Sequence, residues 1–306
     1  MSWSKIKTLL IFLFLFVNIY LITNLYIKND TSREVSAETV ADTIKILEAN
    51  NITIDKDIIK RNTPRLRRCS ISNSIDKLNV LAENLLGPCS KTDTGYENKS
   101  GRVDFNSVAF LYENYNSSVI ADGIRDNNAI EKALEILEKK GFDVKDTAVR
   151  DFSAQGEVYS VRFGKNIDDL PFYEGYLLIV LSKEGQLISI EGYWPEINQN
   201  LGRGDKYIVC TDETKVLINL LNVDSLDKTK ETEIVDIKMG YTLGVQPESD
   251  SPILLTLLPA YRVILKNGEN YIFSAETAEF IYKYWFFQSM IFMKNHIKSW
   301  LLFYCF

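Results

Sequence analysis

Histidine is nearly missing: this chain of 306 residues has one, His296, a few residues from its end. Histidine is the base of most nucleophilic triads and the commonest zinc ligand, so its absence from the body of the chain excludes Ser-His-Asp and Cys-His chemistry and nearly all zinc sites. Cysteine is scarce too. Cys69, Cys89 and Cys210 lie in the body of the chain, an odd number with no C-x-x-C spacing. Isolated buried thiols are expected, a Cys69–Cys89 bridge being the alternative. The chain has no G-x-S-x-G, no phosphate-binding P-loop, no G-x-G-x-x-G and no supported S-x-x-K. Two carboxylate pairs remain, Asp168-Asp169 and Glu248 with Asp250. They leave open a glycosidase working with carboxylates alone, but read more simply as solvated acidic loops. Gly202-Arg203-Gly204 reads as a connector rather than an anion nest. No catalytic residue, cofactor site or metal site is expected.

Charge is unevenly placed. Residues 1–27 carry +2 and residues 280–306 carry +3, so residues 28–279 hold −11 of a chain total of −6. A body this acidic repels nucleic acid and anionic polymers, so no nucleic-acid partner is expected. The sequons at Asn29, Asn51, Asn98 and Asn116 are expected by chance in an Asn-rich chain.

One long hydrophobic run stands out. From Leu9 to Ile27, nineteen residues carry no charge, enough at about 1.5 Å per residue to cross a hydrocarbon core of about 30 Å. A cleavable leader has a shorter apolar region and a small-residue cleavage site, so the run reads as a retained transmembrane helix over 9–27. Trp3 and Tyr26 mark its interfaces, and Lys5 and Lys7 flank one end without an acid. The positive-inside rule puts residues 1–8 in the cytoplasm and the rest outside a cell membrane crossed once. Asn18, Tyr20, Thr23 and Asn24 make the outer half of the run polar, which points to a helix–helix contact centred on Asn18.

Beyond the anchor the pattern is α+β: helices packed on antiparallel sheets. Helices are expected over Ser36–Asn50 and Ser74–Leu86, the latter stopped by Gly87-Pro88. A strand is expected at Arg65–Ser72, a loop over Lys91–Lys99 and a strand over Val103–Tyr112, all within an N-terminal part, residues 28–125. A third helix opens at Asn128 with a capping box to Glu131 and ends at Gly141, and a fourth is capped by Thr211. Each precedes a hairpin, Tyr176–Leu181 with Leu187–Trp194 and Tyr261–Leu265 with Tyr271–Ser274, and the Asn267-Gly268 pair predicts a type I′ turn. Asn128 and Gly185 are separated as Thr211 and Gly268 are, at an offset of 83. This spacing predicts one helix-plus-sheet unit used twice, over 126–200 and 205–279. The aromatic, acid-free segment 280–306 is expected to be dispensable, interfacial or read out of frame, so that a chain ending at Thr277 folds like the full one.

Several segments together resemble a known family. Met1-Ser-Trp-Ser-Lys-Ile-Lys-Thr8 runs directly into the anchor, and Tyr193-Trp194-Pro195 ends the first hairpin. Leu258-Pro259-Ala260-Tyr261-Arg262-Val263 follows, then Gly268 and Tyr271-Ile272-Phe273-Ser274-Ala275. In this order they resemble the YycI (WalI) family over residues 1 to about 278. In that pattern the place of Ala278 belongs to Gly. The resemblance implies a non-enzymatic, membrane-anchored regulator of a WalK (YycG)-type sensor histidine kinase, which controls cell-wall metabolism in Gram-positive bacteria. It also implies a YycH-like membrane partner, with contacts made through membrane helix and extracytoplasmic domain. A second reading is a PepSY-like extracytoplasmic binding or protease-restraining module, which the units ending in Pro-Ala-Tyr-Arg-Val also look like.

Overall fold

The computed structural model describes residues 3–30, 34–67, 69–72, 75–106, 109–116, 128–198, 207–244 and 255–284. Its helices are α1 (Trp3–Asp30), α2 (Ala37–Glu48), α3 (Ile75–Leu86), α4 (Ala129–Lys139) and α5 (Glu213–Leu220). The strands of the first half are β1 (Ile52–Ile54), β2 (Arg65–Leu66), β3 (Cys69–Ser72), β4 (Ser90–Lys91), β5 (Gly95–Asn98), β6 (Gly101–Asn106) and β7 (Ala109–Asn114). Those of the second half are β8 (Thr147–Gln155), β9 (Val158–Ile167), β10 (Leu170–Ser182), β11 (Leu187–Tyr193), β12 (Glu196–Asn198), β13 (Ile208–Val209), β14 (Thr232–Gly244), β15 (Leu255–Leu265), β16 (Asn270–Ser274) and β17 (Phe280–Tyr284). The chain is therefore α+β, with five helices and a large mixed sheet among the described residues.

Among the described residues two large cores form, with smaller clusters around Phe172 and Tyr241 and around Tyr173 and Ile272, and the chain visits the two large ones in the order first, second, first. In one, α2 and α5 cover the sheet of β1, β14, β15 and β16 through Leu47, Ile52, Leu217, Leu220, Val263 and Phe273. In the other, α3 and α4 cover β6, β7, β9, β10 and β11 through Leu85, Ala133, Leu137, Phe163, Leu177 and Ile179. Residues 28–125 thus contribute to both cores. Helix α2 forms because Ser36 accepts the Thr39 N–H at 3.0 Å and Val40, Thr43 and Leu47 line one face. Helix α4 buries Ala129, Ala133 and Leu137 and ends at Gly141, whose φ of +84° lets Phe142 N–H reach back to Leu137 O at 3.0 Å.

The structure corrects several local expectations. Lys91–Lys99 is not a loop, since β4 and β5 pair there, and Val103–Tyr112 is not one strand but the hairpin of β6 and β7. Asn128 makes no side-chain capping bond, its backbone lying at φ −105°, ψ −7° rather than extended. The cap of α5 is Asp212, which accepts the Lys215 N–H at 3.1 Å, and not Thr211. At Asn267-Gly268 only the glycine has positive φ, so the turn is not type I′; Gly268 N–H bonds Leu265 O at 3.0 Å and Leu265 N–H bonds Glu269 O at 2.8 Å. The matching bonds at the other hairpin tip are Gly185 N–H to Ser182 O at 2.9 Å and Ser182 N–H to Gln186 O at 2.8 Å. The two tips are built alike at the offset of 83, although β8 and β9 precede the first hairpin where β14 alone precedes the second. The two-residue turn with positive φ at both positions is Asp168-Asp169, at 49° and 65°, joining Ile167 to Leu170. The acidic pair is thus a turn between paired strands.

Residues 280–284 are not a disposable tail. They form β17, paired antiparallel with β16, so a chain cut at Thr277 loses an edge strand and the Tyr282 and Tyr284 contacts described below. The rest of the expected tail, 285–306, lies outside the described residues, as do Gly202-Arg203-Gly204, Glu248 and Asp250. Among the described residues Cys89 and Cys210 are free thiols, and Cys69 is buried. Among the described residues no helix is long and apolar enough to cross a membrane; within α1, side chains are described without a break only over residues 10–21.

Two positions give stability predictions. Ala278 is buried with φ +63°, a left-handed conformation that costs a residue with a Cβ roughly 1–2 kcal/mol. Ala278→Gly is expected to raise unfolding stability by about 1 kcal/mol, read by denaturant titration. Glu213 is buried in the first turn of α5, accepting the Lys60 N–H at 2.7 Å. Burial pushes its carboxyl up to about 7, although the Lys60 N–H favours the charged form. The folded chain therefore holds a proton that the unfolded chain releases near the ordinary value of 4.5. The associated stability is present below that value and is lost as pH rises to about 7. Glu213→Gln is expected to flatten this decline, on the order of 2–3 kcal/mol, in unfolding curves taken at pH 5 and pH 8.

Candidate functional site

Strand β10 belongs to both halves of the sheet. Tyr176–Ser182 pairs with β9, and Tyr176–Leu181 with β11, while Phe172 pairs in parallel with Tyr241 of β14. Between Pro171 and Tyr176 its register with β9 shifts. The break frees backbone carbonyls, and a β-bulge on the next strand fills the place: Arg150 is the unpaired residue between Val149 and Asp151 of β8. A bulge re-aims its side chain. Here the guanidinium crosses the face of Gly164, where a Cβ would overlap it. It donates to Phe172 O at 2.9 Å, with Lys165 O and Tyr173 O at 3.5 Å. Burial lowers its pKa, and the nearby Arg262 and Arg162 lower it further.

Tyrosines complete the seam. Tyr173, fully buried, donates from its hydroxyl to Lys238 O at 2.8 Å and so ties β10 to the face of β14. Arg262 of β15 lies over two rings, 4.9 Å from Tyr284 and 5.9 Å from Tyr173, and donates from Nε to Asn270 Oδ1 at 3.0 Å. The Tyr284 hydroxyl donates to Tyr173 O at 3.3 Å. Arg162 stacks on Tyr176 at 4.4 Å, and Tyr176 donates to Glu191 at 2.9 Å. Glu174 Oε1 accepts from Thr242 and Tyr282, while its Oε2 is buried without a hydrogen-bond partner among the described residues. Burial raises the pKa of Glu174, with those two hydroxyls opposing the rise.

Most of the sequence-singled residues of the hairpins gather at or beside this seam. Tyr193 packs edge-on to Phe172, ring centroids 6.0 Å apart, and Tyr241 joins the same core. Trp194 donates to Asp143 O at 3.1 Å, and its ring lies 4.9 Å from Lys165 Nζ, which donates to Pro195 O at 2.8 Å. Burial brings that ammonium down to about 8, against the pull of Asp143, Glu196 and Asp146. Pro259 faces Tyr241 across β14 and β15, and Tyr261 reaches from the core to Thr211 O at 2.7 Å. Gly268 is elsewhere, at a hairpin tip.

In α1, Trp3 is exposed with Lys7 over its ring at 5.7 Å. Tyr20 is exposed, and Asn18 donates its amide to Phe14 O at 2.8 Å, one turn back along its own helix. The side chains of Lys5, Thr23 and Asn24 lie outside the described residues.

Sequence reading missed Arg150, Glu174, Tyr173 and the seam itself. One signal was there: Gly164 inside a strand marks a close approach. Elsewhere, an open depression of about 450 Å³ is lined by Thr53, Glu231, Thr232, Glu233, Lys266 and Asn267, and Lys266 already pairs with Glu233. Among the described residues no group of three metal-ligating side chains converges.

No protein-family model matches the sequence, and no curated protein matches it. Among solved structures, the chain is similar to an uncharacterized protein from Eubacterium rectale, at 12% identity over 76% of this chain and 91% of that one, with a TM-score of 0.48. It is also similar to the Bacillus megaterium YpeB C-terminal domain, at 10% identity over 70% of this chain and 98% of that one, with a TM-score of 0.32. Neither likeness assigns a family or a function.

Gly164→Ala tests the seam's packing. The added methyl displaces Arg150 from the carbonyls of β10, and a loss of about 1–3 kcal/mol is expected in denaturant unfolding. An unchanged midpoint would show that Arg150 does not hold the joint.

Proposed function

We propose that the chain is a membrane-anchored, non-enzymatic regulator: α1 spans the bilayer with its N-terminus in the cytoplasm, and the α+β domain works outside. The observation that carries this reading is α1 itself. Every described side chain from Leu10 to Val17, and Ile19, Tyr20 and Leu21, is exposed, although each of these residues is apolar or aromatic. A helix apolar on all sides needs lipid or another apolar surface around it. The helix has 28 residues, about 42 Å at 1.5 Å each, longer than a hydrocarbon core of about 30 Å.

The partners in this proposal are a WalK (YycG)-type sensor histidine kinase and a YycH-like membrane protein, as the resemblance of the terminal motifs implies. The contact is centred on the outer half of α1. In lipid, helices associate through packing and interhelical hydrogen bonds, because no hydrophobic drive remains. Asn18 spends one amide hydrogen on Phe14 O within its own helix, which leaves its carbonyl and second amide hydrogen for a neighbour.

Asn18→Leu keeps the span and removes the amide. Association with the kinase and the YycH-like protein, measured by crosslinking in membranes at matched expression, is expected to weaken several-fold, for a loss of about 1 kcal/mol. If association with both is unchanged while removal of the extracytoplasmic domain abolishes it, the contact lies in the domain and the binding-module reading takes its place.

A further inference from the structure

The body of the chain is strongly acidic, yet the seam concentrates arginine. Arg150, Arg162 and Arg262 lie close enough that the charges of the other two lower the pKa of Arg150. Arg150 and Arg262 make no ion pair with a carboxylate among the described residues. The first is held by backbone carbonyls, the second by Asn270 and two tyrosine rings. Partly desolvated guanidinium groups ordinarily take a carboxylate or phosphate partner, because the planar fork matches two oxygens at once. The buried acid of the seam does not serve. Glu174 is engaged by the Thr242 and Tyr282 hydroxyls, and burial favours its neutral form.

The geometry also brings the two guanidinium groups to one place in the seam. Arg150 and the Tyr284 hydroxyl both reach the Tyr173 carbonyl, at 3.5 and 3.3 Å, and Arg262 lies on the ring of that same Tyr284. All three side chains are half-buried, so the cluster remains open to solvent. Its members come from β8, β15 and β17, so an anion bound there touches both halves of the sheet.

We propose that this seam is a binding site for a compact oxyanion, a carboxylate or phosphate group of a small molecule, held by Arg150 and Arg262 beside the hydroxyl of Tyr284. The site stands apart from the α1 contact and does not depend on it.

The test uses the full chain in detergent micelles, with thermal unfolding followed by circular dichroism. Sodium phosphate and sodium glutarate are titrated separately, with sodium chloride making up constant ionic strength. A saturable rise in the unfolding midpoint with either anion supports the site, and the anion that gives it identifies the group. A rise with neither overturns it. Arg262→Lys keeps the charge but loses the fork, and is expected to weaken the apparent Kd about tenfold. Lys266→Gln, at the exposed hairpin tip, removes a charge elsewhere and is expected to leave the Kd unchanged. Equal losses in the two variants would reduce the effect to net charge and overturn the site. Should Arg262→Lys fail to fold, Tyr284→Phe takes its place: a weaker Kd supports the site, and a Kd equal to the parent's overturns it.

Discussion

One parallel pair, Phe172 with Tyr241, links the two halves of the sheet, and most of what is unusual about the domain follows from how little backbone that leaves at the joint. A single ladder step contributes about 1 kcal/mol net, so side chains must supply the rest. Tyr173 bonds across to Lys238 O, Phe172 packs on Tyr193, and Arg150 caps the carbonyls left open where β10 leaves β9. Taking a guanidinium partly out of water costs several kcal/mol without acceptors. The carbonyls of Phe172, Lys165 and Tyr173 provide them. Shifting either half would strand a partly desolvated charge, which favours this arrangement of the two halves.

Periodic and capping signals in the sequence carried the elements that have a local cause. Ser36 and the Val40, Thr43, Leu47 stripe define α2, and Gly87 and Gly141 stop the helices before them. The hairpin tips at Gly185 and Gly268 were legible as turns, though their type was not: with Asn267 at negative φ the chain chose the longer, single-glycine turn. The misses share a different cause. The bulge at Arg150, the register break before Tyr176 and the pairing of β10 with β14 are decided by residues far apart in the chain. Only Gly164 betrayed them. The motif residues Tyr193, Trp194, Pro195, Pro259 and Arg262 carry the family resemblance, and the structure gives them packing and hydrogen-bonding work at or near the joint.

Helix α1 leads into the first core rather than the second. Beyond it, Glu34 bridges to Asn62 and its carboxylate meets Arg61 at 2.9 Å, while Val35 N–H bonds Arg61 O at 2.8 Å. Helix α2 then packs on α5 and the sheet of β14, β15 and β16. The segment after α1 thus packs into the first core, and β15 of that core carries Arg262 on its other face, over Tyr173 and Tyr284.

The interleaved path also dictates an order of assembly during synthesis. Ile52 pairs with Thr232, so β1, and α2 with its apolar stripe, wait for a strand made roughly 180 residues later, about 10–40 s at ribosomal rates of ~5–20 residues per second. The α3/α4 core lies wholly within that interval and completes first. Until β14 emerges, the nascent chain holds a finished half beside an exposed amphipathic helix, and that interval is when it most needs a chaperone or a membrane surface to cover Val40 and Leu47.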